Sequence, residues 1–140
     1  MIKTTTLILL SVIFTTGMAY SQEIQLKKSF WTGYKFIQNG KEQGIGFAGG
    51  NLKKAVVTSP EAVKEVNTYA TFSVSGNIAA GVGGFLAGYA LTSKMEKEKK
   101  KQYYIGAAVS ITIGAILQAL AEPRIPKAVE IYNASLSKRQ

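Results

Sequence analysis

The chain has no cysteine and no histidine among its 140 residues. The first absence removes disulfides, thiol catalysis and Cys-ligated metals. The second removes the commonest general base and the commonest metal ligand. Acid is scarce as well: 8 carboxylates stand against 17 basic side chains, a formal net charge of +9. The carboxylates are Glu23, Glu42, Glu61, Glu65, Glu96, Glu98, Glu122 and Glu130. No two of them fall in an apolar stretch as an acid–base pair would, and Glu61 with Glu65 reads as the solvated start of a helix. The sequence therefore predicts no enzyme, no catalytic residue, no cofactor and no metal site.

What is present is apolar sequence in blocks. Residues 1–21 read as a signal peptide: Lys3, then an apolar stretch, then Ala19 and Ser21 as the small residues before a new start at Gln22. An uncleaved anchor is the alternative. With no cysteine near the cleavage site, a lipoprotein is excluded. The basic balance suits nucleic acid or an anionic membrane surface, and an export signal argues against nucleic acid.

Residues 22–58 form an exported segment rich in aromatics: Trp31, Tyr34 and Phe36. Asn39-Gly40 is a two-residue hairpin signal, since both residues tolerate positive φ. Tyr34, Phe36, Ile45 and Phe47 are expected on one apolar face. Two strands alone are barely stable, so this hairpin must lean on another element, a membrane or a partner. The aromatics either pack this unit, sit at a bilayer interface or form a recognition surface. Gly44, Gly46, Gly49 and Gly50 match no nucleotide-binding spacing.

Thr58-Ser59-Pro60-Glu61 starts a helix, with Thr58 or Ser59 as cap and Pro60 in the first turn. Residues 66–93 then hold no charge, and a span over 69–91 is long enough to cross a roughly 30 Å hydrocarbon layer. A second uncharged stretch covers residues 102–121. Both carry ladders of small residues four apart: Gly76, Ala80, Gly84, Gly88 on the first, and Gly106, Ser110, Gly114 on the second. Four-residue steps share a helix face, and small faces let helices meet backbone to backbone in lipid. The expected antiparallel register sets Gly88 against Gly106 and Ala80 or Gly84 against Ser110. It brings Gln118 level with 71–75, and Asn77 is expected to face protein. The same small faces also suit a homo-oligomer.

Between the stretches, residues 92–102 form a loop with five lysines and two glutamates. Short basic loops stay in the cytoplasm and attract anionic lipid. Tyr103 and Tyr104 resemble interface anchors. Glu122-Pro123-Arg124-Ile125-Pro126 ends the second helix. Residues 127–136 then form a short amphipathic helix that rests on the membrane surface or on the N-terminal hairpin.

The aromatic segment from Tyr34 into Asn39-Gly40-Lys41, the stretch Ser59 to Glu65, the run Gly83-Gly84-Phe85-Leu86-Ala87-Gly88-Tyr89, Tyr104-Ile105-Gly106-Ala107 and the ending Ala128-Val129-Glu130-Ile131-Tyr132-Asn133 together resemble a family of small exported Bacteroidota proteins. The resemblance implies a signal peptide and a glycine-rich hairpin, with no catalytic residues to carry over. The loop departs from the family's glycine-rich pattern, being lysine-rich here.

The expected fold is mainly α: a two-helix antiparallel transmembrane hairpin with a small N-terminal β-hairpin and a short C-terminal helix. Its segments are 1–21, 22–58, 59–121 and 122–140. The expected function is a small integral membrane protein with a non-enzymatic structural or partner-binding role in the bacterial envelope. An oligomeric small-solute channel is the alternative. Its partners would be membrane lipid and a second copy or an envelope protein. The location would be the inner membrane, with both ends periplasmic and the basic loop cytoplasmic.

Overall fold

Asn39 and Gly40 take positive φ, 55° and 73°, as a two-residue turn between twisted strands requires. In the computed structural model, which describes residues 23–29 and 33–138, this turn joins β2 (Gly33–Gln38) to β3 (Lys41–Gly44). The expected signal peptide and Trp31 lie outside the described residues. A further strand, β1 (Gln25–Ser29), pairs antiparallel with β2, so the sheet has three strands in the order β1-β2-β3. The sequence hides β1 because Gln-Leu-Lys-Lys-Ser offers one apolar residue and no alternation.

Phe36 is buried, and Tyr34 and Ile45 pack at the edge of the same core. Phe47 does not join them: it is 89% exposed. After β3 the chain turns at Gly46, φ 79°, into a single 3₁₀ turn over Phe47–Gly49. That turn breaks the two-residue alternation that the hairpin reading extended through Phe47.

Four helices follow: α1 (Gly50–Ala55), α2 (Pro60–Thr92), α3 (Lys97–Ala121) and α4 (Arg124–Ser137). Pro60 sits in the first turn of α2 behind Ser59, which is the N-cap residue but makes no side-chain capping bond. The expected basic loop over 92–102 is mostly helix, because α3 begins at Lys97. Lysine and glutamate are good helix formers, and antiparallel helices need only a few linking residues. Pro126 likewise falls inside the first turn of α4, where a missing N–H costs little.

The core is built from Ile24, Phe36, Leu52, Val56, Ala62, Val66, Ile125, Ala128, Val129 and Tyr132. These residues come from the sheet, α1, the first turns of α2, and α4. The segments at 24–56 and 125–132 and the base of the long helix thus fold as one head. Asn133 holds α4 to the chain just before β1: its Oδ1 accepts from Ile24 N–H and its Nδ2 donates to Ile24 O, each at 2.9 Å. Tyr132 is fully buried and its hydroxyl accepts from Gln38 Nε2 at 3.3 Å.

Beyond the head, α2 and α3 continue as an antiparallel pair, each long and apolar enough to cross a membrane. Their outer surface carries large apolar side chains open to the surroundings, among them Phe85, Leu91, Ile105, Val109, Ile116 and Leu120.

Candidate functional site

The α2–α3 contact is made by glycine, but not along the expected line. A Cβ at Gly76 would lie 3.0 Å from the Gly114 carbonyl oxygen and 3.2 Å from Leu117 Cβ. One at Gly114 would lie 2.8 Å from the Gly76 carbonyl and 2.9 Å from Ala80 N. One at Gly83 would lie 2.8 Å from the Ala107 carbonyl and 2.6 Å from Ile111 Cγ1. At Gly83 and Gly114 this approach leaves no room for a side chain, and at Gly76 it leaves little.

Gly84 and Gly88 do not belong to the contact. Both are exposed, and a Cβ at either meets nothing within 4 Å. Gly106 is looser than expected, with Leu86 Cδ1 at 3.5 Å from such a Cβ, and Ser110 is half-buried. The reason is helical geometry. At 100° per residue each four-residue step drifts about 40°, so Gly76 and Gly88 differ by about 120°. A seven-residue step drifts only about 20°, which slight supercoiling absorbs. The buried small residues follow that period: Gly76, Gly83 and Ala90 on α2, with Ala107, Gly114 and Ala121 on α3. Gly83, Ala107 and Ile111 stand outside the four-residue ladders, and for Gly83 and Ala107 the seven-residue spacing is the signal that points to them.

The structure brings Gln118 and Asn77 together, with Asn77 otherwise exposed. Gln118 Nε2 donates to Asn77 Oδ1 at 2.8 Å and to the Ser73 carbonyl at 3.0 Å. Other hydroxyls on the pair turn back on their own helices: Thr71 donates to Asn67 O and Thr112 to Ala108 O.

Where the helices enter the head, an open cleft of about 540 Å³ is lined by Lys28, Tyr34, Ile45, Tyr69, Gln118 and Glu122. Lys28 and Glu122 form an ion pair at its rim, and the Lys28 ammonium stands 5.5 Å over the Tyr34 ring. The hydrogen bond to Glu122 raises the Lys28 pKa above its usual value. The two side chains hold each other across the cleft.

Elsewhere in the head, Glu42 on β3 is shared by Lys35 and Lys27, and the Lys35 hydrogen bond leads in lowering its pKa. Glu65 is not the solvated residue expected. Its side chain is 14% exposed and bridges Lys127 at 2.8 Å and Arg124 at 3.1 Å, tying α2 to α4. The Lys127 hydrogen bond holds its pKa below the usual carboxylate value, against the opposing effect of burial. Glu61 is exposed. No group of three or more acidic, histidine or cysteine side chains that could hold a metal ion occurs among the described residues.

No protein-family model, curated protein or solved structure matches this chain.

Proposed function

We propose that this chain is an integral membrane protein with a non-enzymatic, structural or partner-binding role in a bacterial envelope. In this reading α2 and α3 cross the bilayer and the head lies on one side of it. One observation carries the reading. The helix pair packs Gly76, Gly83 and Gly114 at its contact and turns large apolar side chains such as Phe85, Leu91, Ile105 and Ile116 outward. In water, contiguous exposed apolar surface of this kind is a liability. In lipid it is the expected surface, and helices there associate through small residues and interhelical hydrogen bonds.

Topology has its own support. The head unites β1 with α4, so these two elements share one side. Lys94, Lys97, Lys99, Lys100 and Lys101 crowd the opposite end of the hairpin, where basic flanks favour the cytoplasm. We place the head in the periplasm and the basic turn in the cytoplasm of an inner membrane. Kinship to the small exported Bacteroidota proteins belongs to the same proposal, resting on the motifs quoted above.

Single cysteines at Ser29, Ser93 and Ser137 test this reading with an impermeant thiol reagent on intact cells. Labelling at 29 and 137 but not at 93 is expected. Labelling at 93 alone would invert the topology, and release of the protein by alkaline carbonate would remove it from the membrane.

A second reading, an oligomeric small-solute channel, draws on Gly81, Gly84 and Gly88, which face outward and touch nothing. A second copy would fit against them. Thr71, Asn77 and Gln118, which a pore would use, are engaged within one hairpin, which favours the first reading. A strict monomer in mild detergent, without conductance in liposomes, would remove the channel.

A further inference from the structure

The start of α3 carries a groove that the helix pair does not use. It is a shallow, open groove of about 410 Å³ lined by Lys97, Lys100, Lys101, Tyr104, Ile105 and Ala108. In the head, Lys27, Lys28, Lys35, Arg124 and Lys127 all have a carboxylate partner. None of the three groove lysines takes part in an ion pair among the described residues. Glu98 is the only acidic residue in the first turn of α3. The start of a helix is also where its dipole least favours cations. With Glu96 at the N-cap, the segment 94–101 has five lysines against two glutamates, an excess of positive charge.

The chemistry changes along the groove. Three ammonium groups lie at the turn end, the Tyr104 ring follows, then the aliphatic surface of Ile105 and Ala108. From residue 97 to 108 the helix rises about 16 Å, enough for a phosphate, a glycerol and the upper part of an acyl chain. We infer that this groove seats one anionic glycerophospholipid. Its phosphodiester lies against Lys97, Lys100 and Lys101, and its chain runs over Ile105 and Ala108. The inference rests on the proposal that the hairpin lies in a bilayer. It goes further in assigning a defined lipid class to a defined place. A free phosphate would use the lysines and leave Ile105 and Ala108 uncovered.

The test uses the full chain and vesicles of phosphatidylcholine with and without phosphatidylglycerol. Lipid retained through mild solubilisation is counted by native mass spectrometry. The wild type is expected to keep phosphatidylglycerol in preference to phosphatidylcholine. Each lysine in contact with the lipid phosphate contributes roughly fivefold to its retention. Lys97→Gln with Lys101→Gln should therefore reduce retention by more than about tenfold. The matched control, Lys94→Gln with Lys99→Gln, removes the same charge outside the groove and should change it little. Ala108→Phe fills the apolar end of the groove, leaves every charge, and should also reduce retention.

Equal losses in both lysine pairs would mean diffuse attraction and overturn the site. So would displacement of the lipid by inorganic phosphate alone, or full retention by Ala108→Phe. A wild type that stays in phosphatidylcholine vesicles but shows no phosphatidylglycerol preference overturns this inference and leaves the membrane reading standing. A wild type washed from every vesicle by carbonate sinks the membrane reading instead.

Discussion

Gly83 rests on the Ala107 carbonyl, and a methyl group added at Gly83 would stand 2.8 Å from that oxygen. Gly84, one residue on, has nothing within 4 Å of the same added atom. The two glycines therefore make opposite predictions. Gly83→Leu should force α2 and α3 apart, and even Gly83→Ala should cost about 1–3 kcal/mol through overpacking against backbone. Gly84→Leu should leave the pair intact. Cysteines placed at Leu86 and Gly106, whose positions touch across the pair, report the separation by disulfide trapping. Loss of trapping with Gly84→Leu but not with Gly83→Leu would show that the four-residue ladder is the contact after all.

That contrast also marks what the sequence discloses. Register is legible: the expected alignment brings Gln118 level with 71–75, and Gln118 bonds Ser73 and Asn77. The face is not, because four-residue spacing looks straight on paper and spirals on the helix. The Asn39-Gly40 turn is legible because two residue types carry the whole signal. β1 is not, since its pairing with β2 depends on a sheet face supplied by Phe36 and on Asn133 reaching Ile24 from 109 residues away. Glu65 was misread for the same reason. Its partners, Arg124 and Lys127, come from the far end of the chain, and no local pattern points to them.

Gln118→Leu should loosen the hairpin without breaking it. The change leaves Asn77 Oδ1 and the Ser73 carbonyl without the amide that now serves both. Interhelical polar bonds in lipid contribute roughly 0.6–1.7 kcal/mol. A double-mutant cycle with Asn77→Ala, read by reversible unfolding in detergent, should give a coupling of about that size. Strict additivity would mean that the two side chains do not act as a pair.

Asn133 should matter more to the head than its half-buried position suggests. It satisfies both backbone groups of Ile24, as a neighbouring strand would. Asn133→Ala should cost about 1–3 kcal/mol, because buried backbone groups lose partners that water replaces poorly. Asn133→Asp keeps the acceptor for Ile24 N–H and loses the donor, so it should fall between wild type and alanine. Protease sensitivity of the 23–29 segment gives the readout. Equal protection in all three proteins would place the β1 anchor elsewhere, in the pairing with β2 alone.

Glu65 gives the head a defined response to acid. Its pKa in the folded chain lies below the ordinary glutamate value of 4.5, chiefly through the Lys127 hydrogen bond. A depressed carboxylate stabilises the fold fully above its unfolded pKa, and that contribution fades as pH falls through the folded one. Glu65→Gln should therefore be less stable than wild type at neutral pH, leaving Arg124 and Lys127 without their shared anion. The gap between the two proteins should hold from neutral pH down to about pH 5, then narrow as the solution is acidified further. Glu42 titrates in the same direction, so the difference between variant and wild type carries the signal, not either curve alone. Lys127→Gln should reproduce part of the neutral-pH loss and weaken the acid dependence, because it removes the largest cause of the shift. A gap that stays constant down to pH 3 would mean that Glu65 acts through its shape and hydrogen bonding, with its charge contributing nothing.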